Sequence, residues 1–300
     1  MIDERRRPLC VFGEVLFDIF PDGTQVLGGA PFNVAWHLQA FGCAPYFVSR
    51  VGDDPQGERI REAMRGWGMD LGGLTTDSRH PTGGVRVTLD AGEPTYEILD
   101  HCAYDYIALD GEPDRPACGL LYHGSLALRN PVSARSLERL KAGGAEAIFV
   151  DVNLRNPWWS RERVLALMQD ADWVKLNRDE LALLAGGTGP LADQVRRFRE
   201  ECRLTGLVLT LGAKGAIGLT GEGELIEVAP PSALRVVDAV GAGDAFASVL
   251  ILGIEIGWPL ATTLTRAQEF ASRVVQERGA TLSDWELYRP FVDAWGLGGG

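Results

Sequence analysis

No GxxxxGK[ST] segment occurs in the 300 residues, so the phosphate cradle of a Walker-type ATPase is absent. No strand-like run leads into GxGxxG either, which disfavours a nicotinamide-dependent enzyme. Apolar runs of membrane-spanning length are missing, and the opening MIDERRRPLC has no apolar leader core, so the expected location is the cytoplasm, with no membrane partner. Basic side chains are in deficit: 29 Lys and Arg stand against 41 Asp and Glu, a net charge of -12 that excludes nucleic acid as the expected partner. The four histidines are isolated and carry no metal signature. Cys10, Cys43, Cys102, Cys118 and Cys202 form an odd, scattered set without CxxC spacing, expected as free buried thiols.

What is present suits one soluble α/β domain. With 46% hydrophobic and 23% charged residues, the chain can bury a large core. Strand-like runs at Leu9 to Phe20, Tyr46 to Val51, Gly119 to Tyr122, Ala147 to Val152, Trp173 to Leu176 and Leu207 to Leu211 alternate with helix-like ones. That alternation predicts a largely parallel sheet covered on both faces. Val85 to Asp90 and Thr95 to Leu99 interrupt it as a hairpin around AGEP, and with residues 19–27 they predict a small β lid.

Two glycine-bearing segments carry the chemistry. In VVDAVGAGDAF, Val236 to Phe246, Gly241 and Gly243 let the chain turn and present the backbone N–H groups of Ala242, Gly243 and Asp244 at a helix start. Asp244 would repel a bound phosphate, yet it is well suited to accept a proton from an alcohol attacking one. The bland alternative is a first-turn aspartate complementing the helix dipole. In GGAPFNVAWHLQAFG, Gly28 to Gly42, a glycine pair precedes a helix, and Asn33 stands in its first turn with donor and acceptor available to a sugar hydroxyl.

Together, and in this order roughly 200 residues apart, these segments resemble the two signature motifs of the ribokinase-like, or PfkB, carbohydrate kinases. Gly13 and Asp18, DVNLRNPWW (Asp151 to Trp159), KLNRDE (Lys175 to Glu180) and TLGAKGA (Thr210 to Ala216) extend the resemblance over nearly the whole chain. Within that family, GGAPFNVA, DVNLRNPWW and PTGGVRVTLD look most like bacterial fructokinases. The resemblance implies a three-layer α/β fold with a lid formed by about 19–27 and 82–106, ATP and Mg²⁺ as cofactors, and a homodimer formed through the lid. Residues 296–300 are expected as a flexible tail.

Site residues follow, each beside an ordinary alternative. Asp244, with the amides of Gly241, Ala242 and Gly243, is expected to be catalytic. Asp18, Gly29 and Asn33 would bind the sugar, although Asp18 could be a turn residue and Asn33 an ordinary first-turn residue. Asp151, Asn153 and Arg155 would share one face by strand alternation, suggesting phosphate and Mg²⁺ contacts. Arg155 could steady the transferring phosphoryl group or form a structural ion pair, and Lys214 is the other candidate cation. Trp158 and Trp159 are read as packing.

Asn177 and Glu180 look like the family's NxxE, with Glu180 reaching Mg²⁺ through water, but a helix cap with an acidic first turn writes the same letters. Thr210, Gly212 and Gly215 resemble the nucleotide loop or form a plain tight turn, and Gln268 would border the adenine. Similarity also suggests a K⁺ site from Asp238, Val240, Gly279 and Ser283, with Ala239 where the family usually has threonine. The reading is an ATP-dependent sugar kinase favouring fructose. Ribose, 2-keto-3-deoxygluconate or a nucleoside stay open, as does a sugar-sensing protein without catalysis.

Overall fold

The computed structural model describes residues 7–90, 93–109, 117–231 and 236–298. Its strands are β1 (Cys10–Phe12), β2 (Leu16–Ile19), β3 (Gln25–Gly28), β4 (Tyr46–Gly52), β5 (Leu74–Asp77), β6 (Gly83–Asp90), β7 (Glu93–Ile98), β8 (Leu120–His123), β9 (Ala147–Asp151), β10 (Trp173–Asn177), β11 (Gly206–Thr210), β12 (Ala216–Thr220) and β13 (Leu225–Val228). Helices α1 (Ala30–Ala40), α2 (Pro55–Gly66), α3 (Pro131–Ala142), α4 (Arg161–Gln169), α5 (Arg178–Ala185), α6 (Leu191–Cys202), α7 (Ala242–Ile256), α8 (Leu260–Val274) and α9 (Arg289–Trp295) connect and cover them.

Nine strands form the main sheet in the order β13-β12-β11-β10-β9-β8-β1-β4-β5, parallel except where β12 runs against both β11 and β13. Its strands are mostly apolar because both faces are covered, and successive residues feed opposite layers. Val11, Phe149 and Val208 join the core beneath α1, α7 and α8, whereas Cys10, Phe12, Val150, Leu207 and Leu209 enter the cores of the other face. Helix α7 lies against α1 and α8 and is apolar nearly all round, so every residue from Ala245 to Gly253 is buried.

The remaining strands make a second sheet, ordered β3-β2-β6-β7. It is mixed: β2 runs antiparallel to β3 and parallel to β6, and β6 pairs antiparallel with β7. The expected single strand from Leu9 to Phe20 is therefore two strands in two sheets, parted at Gly13, Glu14 and Val15. The hairpin register Asp90↔Glu93 leaves only residues 91 and 92 between β6 and β7, so Pro94 sits in β7 opposite Leu89 rather than in the turn. Residues 91 and 92, with Gly92 of the expected turn, lie outside the described residues.

Two further expectations need correction. Cys10 and Cys118 are joined as a disulfide, their Cα atoms 5.7 Å apart, while Cys102 and Cys202 are buried free thiols. The pairing arises because β1 and β8 are neighbours in the sheet, which cysteine spacing along the chain does not encode. At the C-terminus, Gly296 is the left-handed cap of α9, the N–H of Leu297 bonds the Val292 carbonyl, and Leu297 packs on the core, so residues 296 and 297 belong to the fold, while residues 299 and 300 of the expected tail lie outside the described residues.

Candidate active site

An open cavity of about 1040 Å³ lies between the small sheet and the loops and helix starts at 29–33, 153–156, 237–244 and 278–280. One wall is a single face of the chain running through β2: Glu14, Leu16, Asp18, Phe20 and Asp22 all line it. Alternate residues of an extended chain point the same way, so carboxylate and apolar side chains interleave along this wall. Burial grades along it, from Glu14 at 3% exposed, through half-buried Asp18, to exposed Asp22. The opposite wall is the segment 237–241 with Gly243 and Asp244 of α7; Gly29 and Asn33 of α1, Asn153 to Asn156, and Arg278 to Ala280 complete the lining.

Asp244 lies in the first turn of α7. The helix starts from Gly241, whose φ is 80° and whose missing Cβ would collide with Ala280, so glycine is required both for the backbone and for the close approach. Gly29 caps α1 in the same way, with φ 109° and the Glu14 carbonyl 2.7 Å from where a Cβ would stand. These two caps bring two helix starts together, and Asn33 Nδ2 donates to Asp244 Oδ2 at 2.7 Å. Burial raises the Asp244 pKa to about 6; the Asn33 bond, Lys175 and Arg155 lower it against the nearby charge of Asp151. Asp18 is likewise raised to about 6 by burial, with Arg155 opposing.

Beneath α7 lies a buried ion pair. Lys175 Nζ donates to both oxygens of Asp151 at 2.8 Å, and it sits 3.6 Å from the place a Cβ on Gly243 would take. Although burial alone would depress it, the Lys175 pKa is raised, through Asp151 first and Asp244 and Glu180 after it. Asp151, expected as a Mg²⁺ contact, is thus held by Lys175 and does not line the cavity. Strand alternation also fails past it: β9 ends at Asp151, and Asn153 takes φ 40°, which turns Asn153 and Arg155 into the cavity while Asp151 stays below.

Arg155 is exposed, donates to the Leu154 carbonyl at 3.1 Å, and has no carboxylate within salt-bridge reach among the described residues. Its charge is felt by Glu14, Asp18 and Asp244 together. The ion-pair alternative therefore gives way to a cation facing the cavity. Trp158 lies against the Arg129 guanidinium, 4.4 Å from its ring centre, and Trp159 Nε1 bonds Asn156 Oδ1 at 2.7 Å, both packing roles.

The expected nucleotide residues gather at another part of the sheet edge. Asn177 and Thr210 are direct neighbours at the carboxyl ends of β10 and β11, followed by the short turn Gly212–Lys214 and by Gly215. Asn177 and Glu180 form a complete capping box on α5: Asn177 Oδ1 accepts from the Glu180 N–H at 2.9 Å, and Glu180 Oε2 from the Asn177 N–H at 2.8 Å. Glu180 Oε1 also accepts from Leu154 N–H at 2.8 Å, tying this cap to the Arg155 loop. None of Asn177, Thr210, Gly212, Lys214 and Gly215 lines the cavity that holds Asp244, and neither does Gln268, which is buried on α8 and donates to Ser272 at 3.2 Å.

Asp238 pins the cavity's second wall. It accepts from the N–H groups of Val240 at 3.0 Å and Gly279 at 3.1 Å, holding the approach to α7 against the 278–280 segment. Ser283 is exposed and off the cavity wall. Among the described residues, no group of three or more His, Cys, Asp and Glu side chains is arranged to hold a metal ion.

Sequence reasoning missed Glu14 and Lys175. Each is a charge inside an apolar strand-forming run, CVFGEVLF and WVKLN, and that mismatch was the available signal. Glu14 is buried, lines the cavity, and has Oε2 without a hydrogen-bond partner. Burial lifts its pKa to about 7 against its own backbone N–H and Arg155.

A family model described as pfkB family carbohydrate kinase matches residues 11–287. A Klebsiella pneumoniae fructokinase is 31% identical over 295 residues, covering 90% of this chain and 94% of its own. An aminoimidazole riboside kinase of Salmonella typhimurium is 28% identical over 290 residues, covering 90% and 89%. Among solved structures, a fructokinase double mutant of Vibrio cholerae O395 with fructose, ADP and potassium ion bound superposes with a TM-score of 0.80 at 26% identity, over 94% of this chain and 97% of the other.

Proposed function

The chain belongs to the pfkB family of carbohydrate kinases, and on that premise we propose that this ATP-dependent sugar kinase phosphorylates fructose with Asp244 as its general base. One observation carries the reading: Asp244 is half-buried in the first turn of α7, oriented by Asn33, and faces a cavity walled by Asp18. Bonding one carboxylate oxygen to Asn33 leaves the other to accept a hydroxyl proton. The sugar oxygen bonds the γ-phosphorus as the bridging bond to ADP breaks, and the proton passes to Asp244. The transition state is loose, so positioning and charge stabilisation dominate: the first N–H groups of α7 and the Arg155 guanidinium serve the transferring oxygens.

We place the nucleotide along the edge formed by Asn177, Thr210, Gly212 and Gly215, next to α7. Gln268 is bonded to Ser272 and fits the adenine border poorly. Glu180 accepts backbone N–H groups at both oxygens, which suits contact with Mg²⁺ through water rather than directly. When bound, Mg²⁺ would neutralise phosphate charge on an otherwise acidic protein. For K⁺, the Asp238 carboxylate with the Val240 and Gly279 carbonyls is an all-oxygen donor set beside the start of α7, and exposed Ser283 is left out of it. The small sheet acts as a lid, and its edge strands β3 and β7 offer the surface for a homodimer. No helix of the described residues is long and apolar enough to cross a membrane, and we place the enzyme in the cytoplasm, where ATP is supplied.

Fructose is favoured because the curated relative of highest printed identity is a fructokinase. The carboxyl groups of Glu14, Asp18 and Asp244 argue against 2-keto-3-deoxygluconate, which carries its own carboxylate into the same cavity. A riboside is the second reading, favoured by the 28%-identical aminoimidazole riboside kinase. The test is kcat/KM with Mg-ATP for fructose, ribose, 2-keto-3-deoxygluconate and aminoimidazole riboside, with and without potassium. Highest kcat/KM on fructose is expected. Preference for the riboside would replace the substrate but keep the kinase, and sugar binding without turnover would point to a sensor.

A further inference from the structure

Asp18 and Asp244 leave unexplained the most buried group on the cavity wall. Glu14 is 3% exposed, and its Oε2 is shut from bulk water with no partner, yet the residue lines the cavity. A buried acceptor without a donor is destabilising, and such orphans are rare unless something outside the chain completes them. We infer that Glu14 is a second sugar-binding carboxyl, which shares a hydrogen bond with a substrate hydroxyl other than the one phosphorylated. This rests on the kinase reading above and extends it to a specificity-determining residue.

Three features support the assignment. The alternation through Glu14, Leu16 and Asp18 puts two carboxyl groups on one face with an apolar side chain between them, a surface that can meet hydroxyls and the C–H face of one sugar together. The position is fixed by packing, because Gly29 lies against the Glu14 carbonyl and the same Gly29 starts the helix that carries Asn33. Finally, the group is in no ion pair among the described residues. Arg155 and Arg129 attract it and Asp244 repels it, while the buried Tyr104 and Tyr122 also feel its charge. Its pKa of about 7 lets it accept from a hydroxyl or donate to one.

Kinetics of Glu14→Ala and Glu14→Gln test this. Losing one bond to a buried carboxyl should raise the sugar KM of Glu14→Ala by about 10- to 100-fold, with the ATP KM within about twofold and kcat changed less than the sugar KM. Glu14→Gln should recover part of the loss. Among monodeoxy analogues of the sugar that wild type turns over fastest, one should bind poorly to wild type and show no further loss in Glu14→Ala. A folded Glu14→Ala or Glu14→Gln enzyme with unchanged sugar KM and unchanged analogue penalties would overturn the inference, as would equal rises in the sugar and ATP KM. If Glu14→Ala does not fold, the glutamine variant and the analogue series decide. Absence of turnover in wild type with every sugar would defeat the kinase reading itself, a different result from normal wild-type turnover with indifferent Glu14 variants.

Discussion

As the proposed general base, Asp244 must be ionised to work, and the partial burial that positions it opposes ionisation. Burial raises it to about 6, Asp18 to about 6 and Glu14 to about 7, from 3.8, 3.8 and 4.5. Between about pH 4 and 7 the folded chain therefore holds more protons than the unfolded one. Stability from these groups is complete below about pH 4 and is lost as pH rises through 6 to 7. Asp244→Asn should accordingly raise the melting temperature at pH 8 and have little effect near pH 4, a pattern that thermal melts across pH would reveal; a lower melting temperature at pH 8 would contradict it. The same ionisation governs rate, so kcat/KM should fall about tenfold per unit below about pH 6 in a pH-rate profile. Asp244, Asn33 and Asp18 were legible in the sequence because each follows a glycine turn or ends an apolar strand. Glu14 and Lys175 were not, since their roles depend on which strands become neighbours.

Helix starts are the elements that make the site. Gly241 and Gly29 let α7 and α1 begin in close contact with other backbone, and Asn33 and Asp244 meet only because both begin correctly. Gly241→Ala would strain a φ of 80° and collide with Ala280, at a cost of about 1–3 kcal/mol. We expect a lower melting temperature together with a kcat loss of at least tenfold, since the amides and the base move with the turn; a variant with normal kcat would show that this turn does not set the chemistry. Glycine pairs followed by apolar helices are local signals, so these starts could be read from residue order. The capping box at Asn177 and Glu180 was also readable, but its letters alone could not separate cap from Mg²⁺ contact, and the structure shows the cap. Alternation misled at Asn153 because one left-handed residue ends a period of two.

At the scale of the whole molecule, the cavity exists because the chain leaves the carboxyl end of β1 for the small sheet, which stands over the loops and helix starts there, where open α/β sheets receive ligands. The layered architecture was legible because alternating apolar strands and helices constrain it strongly. The split of β1 from β2 and the Cys10–Cys118 bridge were not, as both follow from strand order. Because the protein carries a net charge of -12, an anionic nucleotide must be held by local donors rather than by the overall field, which is why we propose that the chemistry concentrates at the start of α7. The most direct test of that claim is fructose-dependent ADP release from Mg-ATP at pH 8 in wild type and Asp244→Asn. The account predicts turnover in wild type and a loss of about 10²- to 10⁴-fold in the variant with its fold intact; a folded Asp244→Asn enzyme that releases ADP at the wild-type rate would contradict it.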